Sequence, residues 1–138
     1  MKFDYRKVPG KTPTAPWISR PIIPIRLSAG RRTVGLDALI DSGADSSVFH
    51  AQVAEVLGID MKQGLQQTFF GATGEAASAY FHEVQLQVVG LADPIKILAG
   101  FTDSPGVGAL LGQADFFQRF QVKFERYKDQ IEIKPAKR

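Results

Sequence analysis

The stretch ALIDSGADSSVF, residues 38–49, leads from an apolar run into an acid that is followed by small residues. Leu39 and Ile40 are both apolar, which indicates a strand covered on both faces, and Asp41 emerges at its end. Gly43 has no side chain, so another backbone or a ligand can approach closely there. An Asp-Ser-Gly after a strand is also a common turn, in which the carboxylate accepts bonds from backbone N–H groups. The local sequence leaves both interpretations of Asp41 open.

Beyond this stretch, the chain consists mainly of strand patterns. Residues 84–88 alternate apolar with polar side chains, which predicts a half-buried strand. Residues 120–125 and 130–134 alternate in the same way on either side of a turn, and they predict a hairpin with its apolar face inward. Between these patterns, residues 110–120 contain an apolar pair, a glycine and a short helical turn.

One longer segment has helical rather than strand spacing. Within residues 47–57, one stripe contains Phe49, Val53, Val56 and Leu57, and this predicts a helix of about three turns. Ser46 or Ser47 can cap its start, and Gly58 suits its end. Residues 9–16 are rich in Pro, Gly and Thr, so we expect an irregular lead-in over 1–18 and one domain over 19–138.

Composition narrows the functional classes. The 138 residues contain no cysteine, which excludes disulfides, thiolate nucleophiles and cysteine-based zinc sites. The net charge of +3 resides largely in basic termini. Because no aromatic and basic residues interleave in a known fingerprint, we expect no nucleic-acid partner. With no signal-peptide core and no long apolar run, we expect a cytoplasmic protein without a membrane partner. A piece of a longer, membrane-attached protein would show the same pattern.

The sequence contains no other complete catalytic motif among those considered next. His50 and His82 lack the spacing of a zinc-binding HExxH motif, and structural roles are favoured for both. No GxSxG nucleophile elbow occurs, and the glycines of residues 106–112 lack the Lys-Ser/Thr ending of a phosphate-binding loop.

Four segments together resemble the retroviral-type (retropepsin-like) aspartic proteases, in particular their bacterial and cellular single-domain members. Residues 38–49 look like the family's hydrophobic–hydrophobic–Asp–Thr/Ser–Gly–Ala element, and AQVAEVLGID (51–60) looks like the helix that follows it. FFGATGEAASAYF (69–81) occupies the place of the flap hairpin. ALLGQADFFQRFQVKFERYKDQIEIKP (109–135) is similar to the Leu–Leu–Gly element, short helix and closing strands. The resemblance implies a mostly β, closed acid-protease β-barrel with one main helix and one short helix.

The family has one catalytic aspartate per chain and acts as a twofold dimer, so the resemblance implies an aspartic endopeptidase that needs no metal or cofactor. Its partners would be a second copy of the chain and a polypeptide substrate. The chain has one Asp-Ser-Gly; the nearest imitation, beginning at Asp103, has Pro in place of Gly. The residues implied are Asp41 as the catalytic acid, Ser42, Gly43 and Ala44 in the active-site loop, Gly71, Ala72, Thr73 and Gly74 in the flap, and Leu110, Leu111 and Gly112 in the second element.

The chemistry expected of such a dimer follows from its symmetry. Two carboxylates a few ångströms apart cannot both ionise, so they share one proton and titrate in two coupled steps. The ionised one can take a proton from a bridging water, while the protonated one hydrogen-bonds the peptide carbonyl.

The sequence also departs from the retroviral pattern. Retroviral members usually have Arg directly after the second Gly, paired with an acid near the active site. Here that position is Gln113, so it offers Asp45 no ion pair. Ser42 would tie the two active-site loops together across the axis in place of the commoner Thr. An alternative function is a catalytically silent module that keeps the fold and binds peptides or acts as a scaffold.

Overall fold

The computed structural model describes residues 1–70, 74–91 and 93–137, without the side chains of Lys11 and Phe70. The strands found there are β1 (Lys2–Asp4), β2 (Arg6–Thr12), β3 (Ala15–Arg20), β4 (Ile22–Ala29), β5 (Arg32–Ile40), β6 (Val48–His50), β7 (Leu65–Phe70), β8 (Ala76–Val88), β9 (Ile95–Thr102), β10 (Ala109–Leu111), β11 (Phe120–Glu125) and β12 (Gln130–Pro135). The helix is α1 (Ala51–Val56), and short helical turns span Met61–Gln63, Gln113–Phe117 and Arg126–Lys128. None of the helices described is long and apolar enough to cross a bilayer.

The main sheet closes on itself. Its seven strands follow the order β4-β5-β10-β6-β9-β8-β7, and β4 also pairs with β8. The β4–β8 pairing joins six strands into a ring and leaves β7 as an extension alongside β8. The 13 residues of β8 make this possible, because its first part pairs with β7 and its last part with β4. The expected mostly β, closed architecture is confirmed.

Alternating side chains fill the interior of this ring. In β8, Val84, Leu86 and Val88 are at most 3% exposed, while the alternate residues Glu83 and Gln85 are exposed. The strand predicted over 84–88 is confirmed, and it buries one apolar face as a period of two requires.

A three-stranded sheet of order β1-β12-β11 packs beside the ring. The predicted hairpin of β11 and β12 is confirmed, with Ile131 and Ile133 fully buried. The first strand of the chain pairs with the last one, and Phe3 lies opposite Ile131. Both ends of the described chain are therefore held in one small sheet.

The expectation of an irregular segment over residues 1–18 is wrong. Strands β2 and β3 pair antiparallel, and the register shifts between Pro9 and Thr12. The Pro and Gly residues that suggested irregular structure lie at this bulge, where a bulged pair tolerates a missing N–H donor. The domain boundary between residues 18 and 19 stays a prediction.

The predicted helix over 47–57 is shorter than expected. Val48 and Phe49 belong to β6, which pairs with β10 on one side and β9 on the other, and α1 begins only at Ala51. The N-cap is His50, whose Nδ1 accepts a bond from the Gln52 N–H at 3.1 Å, so neither predicted serine caps this helix. The end is close to the prediction, because the C-cap is followed by a glycine with φ 71°.

Candidate active site

Two apolar elements from distant parts of the chain lie side by side beneath the site. Leu39 and Ile40 of β5 pair in parallel with Leu110 and Leu111 of β10. The Asp41 N–H then donates to the Leu111 carbonyl at 2.9 Å, which continues the pairing by one residue. The structure therefore brings the Asp-Ser-Gly and Leu–Leu–Gly segments together.

Asp41 starts a tight turn and is half-buried. The Gly43 N–H donates to Asp41 Oδ1 at 2.9 Å, and the Ala44 N–H donates to the Asp41 carbonyl at 3.1 Å. Among the residues that the structure describes, Gly43 is the only hydrogen-bond partner of this carboxylate. The turn therefore fixes one carboxylate oxygen and leaves the other without a hydrogen bond from the described residues. Asp41 can thus be both a turn aspartate and an acid available to a ligand.

The loop after Asp41 is fixed by the segment that follows β10. Three consecutive backbone N–H groups, those of residues 112–114, donate to Ser47 Oγ at 3.1 Å and to the carbonyls of Ala44 and Asp45 at 2.8 Å each. Ser47 is only 1% exposed, so its hydroxyl satisfies a donor that water does not reach. These bonds set the path of the loop relative to the sheet.

Gln113 adds a side-chain bond to the same loop. Its Nε2 donates to the Ser42 carbonyl at 2.7 Å. The amide is thus directed at the backbone rather than at Asp45, whose exposed carboxylate has no ion-pair partner in the described part of the chain.

An open cleft of about 730 Å³ lies above the loop, a size that suits a peptide segment or small ligand. Asp41, Gly43, Ala44 and Asp45 line it on one side. Its apolar lining comes from β6, β7, β8, β10 and the loop before β10: Val48, Phe69, Ala79, Phe81, Val107 and Leu110. The carboxylate with its free oxygen thus faces a largely apolar groove.

The predicted flap residues lie in the sequence between the paired strands β7 and β8. These strands pair up to Phe70 and Ala76. Gly71, Ala72 and Thr73 lie outside the described residues, while Gly74 has a φ of 86°. A role of residues 71–74 as a lid stays a prediction.

Sequence reasoning missed the part that Ser47 and the lining residues from separate strands play in the site. A serine soon after the Asp-Ser-Gly is a candidate acceptor for a backbone N–H, and this could have identified Ser47. The helical pattern instead led to its assignment as a helix cap. The two histidines are placed away from catalysis: His50 caps α1, and His82 Nε2 lies 2.7 Å from the Met61 carbonyl.

The sequence profile of a family described as aspartyl protease matches residues 23–114. This range covers β4 through the segment that follows β10, and therefore includes both halves of the site. The chain belongs to the aspartyl protease family. No curated protein sequence matches it.

Two solved structures are similar to it in fold. A retropepsin-like aspartic protease from Rickettsia conorii is similar with a TM-score of 0.60 and 20% identity, over 84% of this chain and 98% of that one. The EIAV protease, solved with the inhibitor HBY-793, is similar with a TM-score of 0.51 and 23% identity, over 67% of this chain and 81% of that one. At these identities the likeness concerns the fold.

Proposed function

We propose that this protein is an aspartic endopeptidase whose active site forms between two copies of the chain. The observation that carries the proposal is the carboxylate of Asp41, which lines an apolar cleft with one oxygen bonded to Gly43 and the other free. Membership of the aspartyl protease family supports it. One such acid per chain suffices only if a second chain supplies another.

In the proposed dimer, the two Asp41 carboxylates hold one proton between them. The ionised carboxylate takes a proton from a water molecule, whose oxygen attacks the carbonyl carbon of the peptide bond. The protonated carboxyl gives its proton to the carbonyl oxygen, so the tetrahedral intermediate carries no net charge. When the C–N bond breaks, the carboxyl that took the proton from water gives it to the amine nitrogen. The other carboxylate recovers a proton from a hydroxyl of the intermediate, and the product carboxyl forms.

The loop geometry serves this chemistry by holding Asp41 still. The Gly43 N–H bond orients the carboxylate, and the bonds from residues 112–114 fix the backbone that bears it. Preorganised groups do not need to reorient as charge develops, which lowers the barrier. We further propose that the Ser42 hydroxyl binds the partner loop and that residues 71–74 close over the substrate.

The test compares wild type with Asp41→Asn on a diverse peptide pool, with products identified by mass spectrometry from acidic to neutral pH. We expect wild type to cleave extended peptides beside bulky apolar residues, mostly at acidic pH. Asp41→Asn keeps the size and the Gly43 bond but cannot act as a base, so turnover should be lost with the fold intact.

Asp103→Asn is the matched control, because Asp103 begins the Asp-Ser-Pro sequence outside the cleft. It should cleave like wild type. Equal turnover by Asp41→Asn and wild type would show that Asp41 is not the catalytic acid. A circular dichroism spectrum of each variant verifies that folding is unchanged.

A further inference from the structure

The cleft and the whole chain differ in the sign of their charge. The chain has 17 Lys and Arg against 14 Asp and Glu, a net charge of +3. Yet the charged residues among the described lining of the cleft are Asp41 and Asp45, with no Lys or Arg. Residues 71–73 are Gly, Ala and Thr and contribute no charge. The groove is therefore acidic on a basic protein.

Asp45 differs from Asp41 in that the proposed chemistry leaves it without a role. Its carbonyl is fixed by the Ala114 N–H at 2.8 Å, while its carboxylate is exposed and has no hydrogen bond or ion pair within the described ranges. Gln113 is a neutral amide and is already bonded to the Ser42 carbonyl. The main chain of Asp45 is thus held at the cleft, and its charge is available to a ligand.

We propose that Asp45 is a specificity-determining residue that selects substrates with Lys or Arg close to the scissile bond. This inference rests on the proposed peptidase function, since it names the substrates of the same cleft. A bound peptide displaces water from around Asp45, and the attraction between carboxylate and cation strengthens as the surroundings become less polar. The apolar walls contact the residues at the scissile bond, and Asp45 contacts a cation farther along the peptide.

Chain geometry limits where this cation lies. Asp45 is four residues beyond Asp41, and an extended chain of that length spans at most about 14 Å. The bond from the Ala44 N–H to the Asp41 carbonyl shortens the distance further. A bound peptide in strand conformation advances about 3.3 Å per residue, so the cation falls within about four residues of the scissile bond. Since each chain of the dimer supplies one Asp45, we expect the preference on both sides of that bond.

The first experiment measures turnover. Matched peptides have the same two bulky apolar residues at the scissile bond, and one variable position, moved along four residues on each side, is Lys, Gln or Glu. We expect wild type to prefer Lys over Gln by about threefold to tenfold in kcat/KM at the favoured positions, the range of a partly exposed ion pair, and to cleave Glu peptides least. Added salt should narrow the ratio.

Two variants assign the effect to a residue. Asp45→Asn should bring the Lys-to-Gln ratio of kcat/KM close to one. Asp60→Asn removes the same charge from an exposed residue outside the cleft and should keep the wild-type ratio. The inference is overturned if Asp45→Asn keeps the ratio, or if wild type shows no preference for Lys at any position.

A second experiment separates this inference from the proposed function. Fluorescence anisotropy measures the binding of the same labelled peptides to Asp41→Asn and to Asp41→Asn/Asp45→Asn. If no peptide is cleaved but Lys peptides bind more tightly only when Asp45 is present, the peptidase proposal fails and the assignment of Asp45 to ligand selection stands. Cleavage without an effect of Asp45 refutes the selection alone. If the peptides are neither bound nor cleaved, both proposals are refuted.

Discussion

At Gly112, the space available to a side chain decides which residue the fold accepts. A Cβ atom there would lie 2.4 Å from the Ser46 carbonyl oxygen and 2.7 Å from that of Ala44. The φ of −113° is open to any residue, so glycine is required by the close approach of the active-site loop. The family resemblance identified this glycine, and the structure supplies its reason.

We therefore predict that Gly112→Ala pushes the active-site loop away from the sheet. Overpacking at a rigid contact between backbones should lower the free energy of unfolding by about 1–3 kcal/mol, and the displaced Asp41 should lower kcat/KM. Urea denaturation and peptide cleavage measure the two effects. Gly106→Ala is the control, since no atom lies within 4 Å of its added Cβ. Equal behaviour of the two variants would contradict the assigned contact.

Among the strands and helices, those whose structure is decided by a local sequence pattern could be predicted. The strand over 84–88 and the hairpin around Ile131 could be predicted because each buries one face, and a period of two records that burial. Phe49 also fits a helical stripe, yet β9 and β10 pair with the backbone of Val48 and Phe49 as strand β6. Such pairing involves distant parts of the chain and leaves no local pattern.

Local sequence patterns were equally limited in predicting the candidate active site. Asp41 was predicted through the resemblance of its Asp-Ser-Gly-Ala segment to the family motif, since an Asp-Ser-Gly after a strand is by itself also a common turn. Ser47 and Gln113 could not be assigned their roles, because both depend on where the segment after β10 crosses the loop. The β2–β3 hairpin was missed for a related reason: Pro9 and Gly10 disfavour a regular strand locally, while the bulge that accommodates them exists only in the pair.

The turn of the β11–β12 hairpin allows a test by titration. A hydrogen bond from Tyr127 Oη to Glu125 Oε2, at 3.0 Å, is the main cause that lowers the pKa of Glu125, and Lys123 and Lys128 lower it further. A carboxyl with a lowered pKa in the folded state stabilises the fold above its unfolded pKa, and this contribution is lost as the pH falls through the folded value.

Tyr127→Phe removes only the hydroxyl, so we predict that the pKa of Glu125 rises toward its ordinary value. NMR titration of the Glu125 side chain measures the shift directly. The stability of the variant relative to wild type should then be lower at neutral pH and should approach the wild-type value in acid. An unchanged pKa would show that Tyr127 does not bond Glu125 in solution.

For the molecule as a whole, a single chain contributes one Asp41 carboxylate to the cleft, and the proposed reaction requires two. We therefore expect that only the dimer is active and that activity depends on the concentration of the chain. The two-chain site also predicts how wild type behaves when it is mixed with an inactive copy.

When wild type exchanges subunits with an equal amount of Asp41→Asn, random pairing leaves half of the wild-type chains with a wild-type partner. We expect the activity to fall to about half, and to about a quarter with a threefold excess of the variant. Measurements are made at concentrations at which sedimentation shows dimers. Activity that stays constant on mixing would show that each chain acts alone.

The parallel pairing of β5 with β10 also affects when the candidate site can first form. A ribosome makes Asp41 well before Leu110 and Leu111, the residues that β5 pairs with. Until residues 112–114 have also emerged, the loop that bears the acid lacks the donors that fix it. A nascent or prematurely terminated polypeptide thus carries the Asp-Ser-Gly signature without a working cleft. If the proposed function holds, the order of synthesis itself delays proteolysis until most of the chain has been translated.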